Sequence, residues 1–249
     1  MKISVITATW NSGRTIASTL DSLAAQSYKD VELIVIDGAS SDDTVEIIKS
    51  RKDIDFVLIS EPDNGIYDAL NKGILKASGD VVGFLHSDDF FSSPNVLTEI
   101  AAEFERSGVD AVYGDLEYVA QNNVEKVIRL WRSGLYSKSK IVNGWMPPHP
   151  TFYMRRNKYL ELGAFDLRYR IAADYESILR YLWKANVSVA YIPKVLVKMR
   201  VGGESNRSFM NIIKKSKEDW QAMKENDLPA LRAILGKNLS KISQFFARF

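Results

Sequence analysis

The chain has no cysteine and only two histidines in 249 residues. Disulfide frameworks and Cys-based zinc sites are therefore excluded. No apolar run approaches the roughly 20 residues that a spanning helix needs. No signal core is visible, because Met1-Lys2 passes straight into the strand-like Ile3-Ser4-Val5-Ile6. The expectation is a cytoplasmic protein that does not cross a membrane. Internal repeats and low-complexity segments are absent. So are two nucleotide signatures: the first strand-to-helix turn, Ala8-Thr9-Trp10-Asn11-Ser12-Gly13, is not G-x-G-x-x-G, and no Walker loop occurs.

What remains is an ordinary folded composition, 46% hydrophobic and 26% charged. The length suits one large α/β domain with or without a helical appendage. The net charge of +2 is unevenly spread. Residues 207–249 hold nine Lys/Arg against four Asp/Glu, so this tail is +5 and the rest is −3. A basic tail suits an anionic surface, or is simply the solvated face of a helix.

Short apolar runs alternate with amphipathic stretches through the first half. Strands are expected at 3–8, 31–36, 56–59 and 81–85. Between them Ile16, Leu20 and Leu23, then Ile66, Leu70 and Ile74, keep helical spacing, and Ser40-Ser41-Asp42-Asp43 reads as a helix start with Ser40 as cap and Asp43 three residues on. This rhythm predicts a parallel sheet with right-handed crossovers. Farther on, a helix at 96–104, strands at 111–119, 124–131, 151–154, 187–192 and 195–199, a helix at 175–183 and a helical tail from 209 are expected, with 133–150 as a mobile loop.

In such sheets ligands bind beyond the carboxyl ends of the strands. The residues there are Thr7-Ala8-Thr9-Trp10-Asn11, Asp37-Gly38-Ala39-Ser40, Glu61-Pro62-Asp63-Asn64-Gly65 and His86-Ser87-Asp88-Asp89, and three of these four sets carry carboxylates. Adjacent Asp88 and Asp89 are costly to hold together without a cation, and hard cations such as Mg²⁺ and Mn²⁺ bridge carboxylates to phosphates. Asp-Asp ahead of Ser92-Ser93-Pro94 is also ordinary turn chemistry. Asp37 can accept hydrogen bonds from a base or ribose, with Gly38 permitting close approach, or it can serve a plain turn. Asp174, at the head of a helix, is a candidate general base or merely a residue favoured by the helix dipole. His86 could touch phosphate or metal, and His149 sits in an exposed Pro-His-Pro loop; both are as readily structural.

These stretches together resemble glycosyltransferase family 2. The matching segments are 4–11, 32–44, 61–73 and 79–89, strongly over 1–90 and more loosely over 148–205. The resemblance implies a GT-A type α/β fold, a Rossmann-like and mostly parallel central sheet flanked by helices, with a C-terminal helical extension. It implies a catalytic domain over 1–206, with a nucleotide-sugar half (1–115) and an acceptor half (116–206). The implied donor is a nucleoside diphosphate sugar, with UDP favoured, and Mn²⁺ or Mg²⁺ is the implied cofactor. Thr7, Ala8, Thr9, Asn11, Asp37, Gly38, Asn64, Lys72, Ser87 and Asp88 would bind the nucleotide. Asp88 would hold the metal, with Asp89 assisting or binding the ribose, and His86 substituting for the missing carboxylate. His149 and Trp145 would face the acceptor, and Asp174 would be the base of an inverting displacement. The 65–73 variant is similar to bacterial enzymes that build surface polysaccharides on a lipid carrier.

Two departures stand out. The usual Asp-x-Asp has His86 at its first position, and the usual Glu-Asp before the late helix is Ala173-Asp174. The Gln-x-x-Arg-Trp motif of processive synthases is absent, so addition of a single sugar is expected. The tail, with Trp220, Leu228, Phe245 and Phe246 among its basic residues, would lie on the cytoplasmic face of the inner membrane, or pack on the domain or a dimer partner. Nucleic acid is not an expected partner. The competing readings are a sugar nucleotidyltransferase, for which Trp10–Arg14 makes a poor triphosphate loop, and a non-catalytic binding module that would not need Asp174.

Overall fold

A computed structural model of the protein describes residues 1–201 and 209–229. Its centre is a nine-stranded sheet in the order β3-β2-β1-β4-β8-β6-β9-β5, with β7 paired to β6. The strands are β1 (Ile3–Thr9), β2 (Val31–Asp37), β3 (Phe56–Ser60), β4 (Val81–Phe84), β5 (Asp89–Phe91), β6 (Ala111–Ala120), β7 (Asn123–Trp131), β8 (Tyr153–Arg155) and β9 (Val189–Arg200). The helices are α1 (Ile16–Ala24), α2 (Thr44–Ser50), α3 (Ile66–Lys76), α4 (Val96–Ser107), α5 (Lys138–Val142), α6 (Arg156–Leu162), α7 (Ala173–Ile178) and α8 (Phe209–Glu225).

Residue alternation builds three layers. In β1 and β2, Ile6, Ala8, Ile34 and Ile36 face one side, where Ala69, Leu70 and Ile74 of α3 cover them. Ile3, Val5, Leu33 and Val35 face the other, against Ile16 and Leu20 of α1 and Ile48 of α2. Strands buried on both faces read as continuous apolar runs, which is why the sequence announces them. The pairings β3-β2-β1-β4 are parallel. Beyond β4 the sheet turns mixed: β8 is antiparallel to β4 and β6, and β9 runs parallel to β6.

Several expectations need correction here. The strands expected at 187–192 and 195–199 are one strand, β9, with register shifts where it passes Asp115. The expected loop 133–150 contains α5 and ends in a 3-10 turn at His149–Thr151. β5 and α6 were not anticipated. Ser40 does not cap α2; that helix starts at Thr44, and the Ser40 hydroxyl turns back to Asp37. α7 runs on into a π-helical turn at Leu179–Lys184. Of the tail, α8 packs on the α3 side of the sheet with Ala222, Met223 and Leu228 buried, and residues 230–249 lie outside the described residues.

Glu32 clamps the amino-terminal edge. It accepts hydrogen bonds from Ser4 (2.7 Å), the Ser78 amide and hydroxyl (2.8 and 2.7 Å) and Lys2 (2.9 Å). Burial alone would push its carboxyl up, but these donors outweigh it and hold it at about 2, against an ordinary 4.5. Such a group stabilises the fold fully above pH 4.5, and loses that contribution as pH falls from 4.5 toward 2. A shift of this size is worth roughly 3 kcal/mol, and solvent screening of a half-buried group leaves about 2 kcal/mol. Glu32→Gln should cost that amount at pH 7 in denaturant unfolding and flatten the stability profile between pH 4.5 and 2. An unchanged acid limb would refute the assignment. A methyl added at Gly83 of β4 would overlap the fully buried Tyr153 ring. Gly83→Ala should therefore lower stability by about 1–3 kcal/mol, and an unshifted Tm would show that the ring is free to move.

Candidate active site

The parallel register lines up one row across the carboxyl edge of the sheet: Thr9 opposite Asp37, and Asp37 opposite Ser60. Asp37 is fully buried. Its carboxylate accepts from the Ser40 amide (3.0 Å), the Ser40 hydroxyl (2.5 Å) and the Ser60 hydroxyl (2.6 Å). Ser40 Oγ in turn accepts the Asn11 amide at 2.8 Å, while Asn11 Oδ1 accepts the Ser41 amide at 2.9 Å. These bonds lock the β1 and β2 loops together around two left-handed residues, Asn11 (φ 48°) and Ala39 (φ 58°). Left-handed non-glycine residues carry strain, which persists where surrounding bonds over-determine the backbone, as they do at binding loops. Gly38 lies against this lattice, where a Cβ would press on the Asp63 carboxylate at 2.6 Å and approach Trp10 at 3.5 Å. Trp10 itself is 66% exposed.

The turn after β4 carries the second cluster. Thr19 of α1 holds it, with its hydroxyl 2.7 Å from the Asp89 carbonyl and 3.0 Å from that of Ser87. Ser87 shares a 2.8 Å hydroxyl bond with Ser12. Arg200, at the end of β9, donates to the Asp88 carbonyl at 2.7 Å and stacks on Phe90. Asp88 and Asp89 are unlike each other. Asp88 is half-buried in the turn, whereas Asp89 is fully buried on β5, opposite Met199. Neither carboxylate oxygen of Asp89 has a hydrogen-bond partner among the described residues. Burial, reinforced by the charge of Asp88, pushes the Asp89 carboxyl well above the usual range, with Arg200 opposing.

The turn thus offers two carboxylates and the unpartnered Nδ1 of His86 within four residues. Among the described residues no three His, Cys, Asp or Glu side chains form a complete metal cage. A phosphate-bridging Mg²⁺ or Mn²⁺ does not need one, because it takes one or two carboxylates and fills its sphere with phosphate oxygens and water. The residues fit an ion of that open kind.

Asp174 is half-buried at the head of α7. Tyr67 of α3 donates to its Oδ1 at 3.2 Å and to the Ile171 carbonyl at 3.0 Å. Burial, with the charge of Asp174 behind it, raises the Tyr67 phenol well above its ordinary value, so it remains a donor. His86 lies in the fields of both Asp88 and Asp174, although burial dominates and lowers its pKa.

His149 is not exposed as expected. The Pro148–Pro150 turn tucks it between Phe84 (5.3 Å, stacked) and Phe165 (5.6 Å, edge-on), with His86 at 5.6 Å. Burial lowers its pKa to about 4, so the ring is neutral. Trp145 likewise faces inward, donating to the Ser133 carbonyl at 2.9 Å and packing edge-on to Tyr113. Thr7 and Thr9 are buried on β1, and their hydroxyls have no partner among the described residues. Ala8 is buried on the opposite face. Asn64 donates its amide to Asp68 at 3.0 Å, and Lys72 pairs with Glu61, the residue after β3, at 2.8 Å. Reading the sequence missed Ser60, Thr19, Tyr67 and Arg200. Only Tyr67 sat inside a recognisable motif, and the others act through distant pairings with no local pattern.

The chain is similar to known proteins in sequence and in fold. The model for Glycosyl transferase family 2 matches residues 4–167. A glycosyltransferase of Mycobacterium tuberculosis, itself uncharacterised, is 35% identical over 181 residues, covering 72% of this chain and 68% of its own. A PGL/p-HBAD biosynthesis glycosyltransferase of Mycobacterium bovis is 29% identical over 208 residues, covering 82% and 78%. Among solved structures, S. aureus TarS in complex with UDP-GlcNAc superposes with a TM-score of 0.69 at 21% identity over 91% of this chain. The match spans 65% of that TarS chain, just under two thirds of its length. The mannosyltransferase PcManGT from Pyrobaculum calidifontis, in complex with GDP-Man and Mn2+, gives a TM-score of 0.67 at 19% identity, covering 95% and 68%. At such identities the structural likeness speaks to the fold, and the family match to descent. The chain belongs to glycosyl transferase family 2 and folds as a GT-A type domain.

Proposed function

We propose that the protein moves a single sugar from a nucleoside diphosphate sugar, UDP-linked by preference, to an acceptor hydroxyl with inversion at the anomeric carbon. The observation that carries this reading is that two carboxylates from distant parts of the chain, Asp88 and Asp174, both act electrostatically on the one ring of His86. One carboxylate can serve the departing diphosphate and the other the attacking hydroxyl, so no covalent intermediate is required.

In this reading the Thr7–Asn11 and Asp37–Ser40 loops receive the nucleoside, with Asp37 fixing their shape and the exposed Trp10 beside Gly38 offering a flat surface to the base. Asp88 holds Mn²⁺ or Mg²⁺, with Asp89 and His86 behind it. The bound ion would neutralise charge on the leaving diphosphate. Asp174 accepts the proton of the attacking hydroxyl while Tyr67 fixes its orientation. His149 and Trp145 shape the acceptor side from within its wall. Binding of UDP-GlcNAc in TarS, and of GDP-Man with Mn2+ in PcManGT, supports a donor and metal of these classes.

For the acceptor we infer a lipid-linked glycan of bacterial surface polysaccharide synthesis, on the resemblance of residues 65–73. Among the described residues no helix is long and apolar enough to cross a membrane. The basic tail supports work at the cytoplasmic face of the inner membrane.

A panel of nucleotide sugars with Mn²⁺, read by nucleoside diphosphate release, tests the reaction. Slow hydrolysis is expected without acceptor, lost with EDTA and restored by Mn²⁺. Asp88→Ala should remove it by about 10²-fold or more. Pyrophosphate release would mean nucleotidyl transfer instead, and no turnover with any donor and acceptor would mean a binding module.

The two carboxylates after β4 should separate experimentally. In metal-free buffer Asp89→Asn should shift stability by less than about 1 kcal/mol, because an uncharged side chain already suits that site. It should also keep most of the Mn²⁺-dependent nucleotide affinity that Asp88→Asn loses in calorimetry. The reverse order would make Asp89 the principal ligand.

A further inference from the structure

The helix that carries Asp174 begins without a cap of its own. Its preceding residue is Ala172, which has no side-chain oxygen to offer the free amides of a helix start. The segment that leads into it is held by an element forty-odd residues later in the chain. Glu218 of α8 accepts hydrogen bonds from the backbone amides of Arg170 (3.2 Å), Ile171 (2.8 Å) and Ala172 (2.9 Å). A carboxylate at a helix start also satisfies the dipole there.

The same short segment is held from its other side. The Ile171 carbonyl and Asp174 Oδ1 share the one proton of the Tyr67 hydroxyl of α3. Ile171 is therefore pinned through its amide by α8 and through its carbonyl by α3, three residues ahead of Asp174. α8 is itself firmly seated. Ala222 and Met223 are fully buried, and Glu225 takes Arg168 at 2.9 Å and the Tyr169 hydroxyl at 3.0 Å. Lys215, one turn before Glu218, pairs with Asp219 at 3.5 Å. Burial works against the Lys215 charge, but Asp174, Asp219 and Glu218 outweigh it, so the lysine stays cationic near the base.

We propose that Glu218 is a positioning residue for Asp174: by gripping the amides of residues 170–172 it fixes the backbone that aims the carboxylate, so that docking of α8 is a condition for sugar transfer. This rests on the reading of Asp174 as the base. A base displaced by an ångström loses much of its effect even when the substrate still binds. Glu218 should thus act on turnover and leave donor affinity alone.

The test uses the full chain, with kcat expressed per nucleotide-binding site titrated by calorimetry, so that a loss of folded protein is not counted as a loss of rate. Glu218→Ala should lower kcat by about tenfold or more, with the donor KM within about twofold. Hydrogen exchange at the amides of Ile171 and Ala172 should quicken. Glu218→Gln keeps an acceptor oxygen and should recover most of the rate. Should Glu218→Ala not fold, Glu218→Asp keeps the charge but draws the carboxylate back, and a kcat reduced about threefold or more at unchanged KM is then expected. Wild-type kcat in whichever of these two variants folds would overturn the proposal. Asp174→Ala, run alongside, separates the two ideas. If it retains activity, the base assignment fails and the positioning role with it. If it is inactive while the Glu218 variant keeps wild-type turnover, the positioning role alone fails.

Discussion

The parallel register of β1, β2, β3 and β4 is the constraint on which the rest of this structure depends. It sets Thr9, Asp37 and Ser60 in one row, and places Phe84 beside Ile6, so that four loops leave the sheet at the same edge. A slip of one residue would turn every side chain to the opposite face and break both apolar layers at once. With the register fixed, the polar residues at the strand ends have one destination. Asp37 binds the loop that follows it, and the turn at 86–89 comes to rest on Thr19 of α1.

The second half of the chain is built to reach that edge. β8 joins β4, β6 joins β8, and β9 carries Arg200 back to the Asp88 carbonyl. α3 and α8 then fix the entry to α7 from two sides. The polar groups involved are only partly buried. Most of them are satisfied within the protein. The exceptions include the hydroxyls of Thr7 and Thr9 on β1, the Asp89 carboxylate, and one nitrogen on each of His86 and His149, which have no partner among the described residues. Such orphaned groups are expected where a ligand, ion or ordered water completes the site.

How much of this was legible in the sequence depends on the range of the interaction. Ile3–Thr9 and Val31–Asp37 are buried on both faces and announce themselves as unbroken apolar runs. The helix α3 shows its period through Ile66, Leu70 and Ile74. The four strand-end sets were readable for the same reason, and with them the family. β5 is only three residues long and is defined by its distant partner Met199, so no local period reveals it. Asp88 and Asp89 look identical in sequence, and only the pairing of β5 with β9 buries the second. His149, flanked by prolines, reads as exposed, yet the turn those prolines form drives it between Phe84 and Phe165. The grip of Glu218 on residues 170–172 spans more than forty positions and leaves no trace in composition.

A crystal of the protein grown with UDP and Mn²⁺ tests the central claim most directly, because Mn²⁺ can be located by its anomalous scattering. The account predicts one strong peak at the Asp88 carboxylate, bridging to the diphosphate. It predicts the uracil over the Asp37–Ser40 loop and the Asp174 carboxylate facing the space where the sugar would sit. A nucleotide bound away from the carboxyl edge of β1, β2 and β4, or a metal peak remote from Asp88, would contradict it.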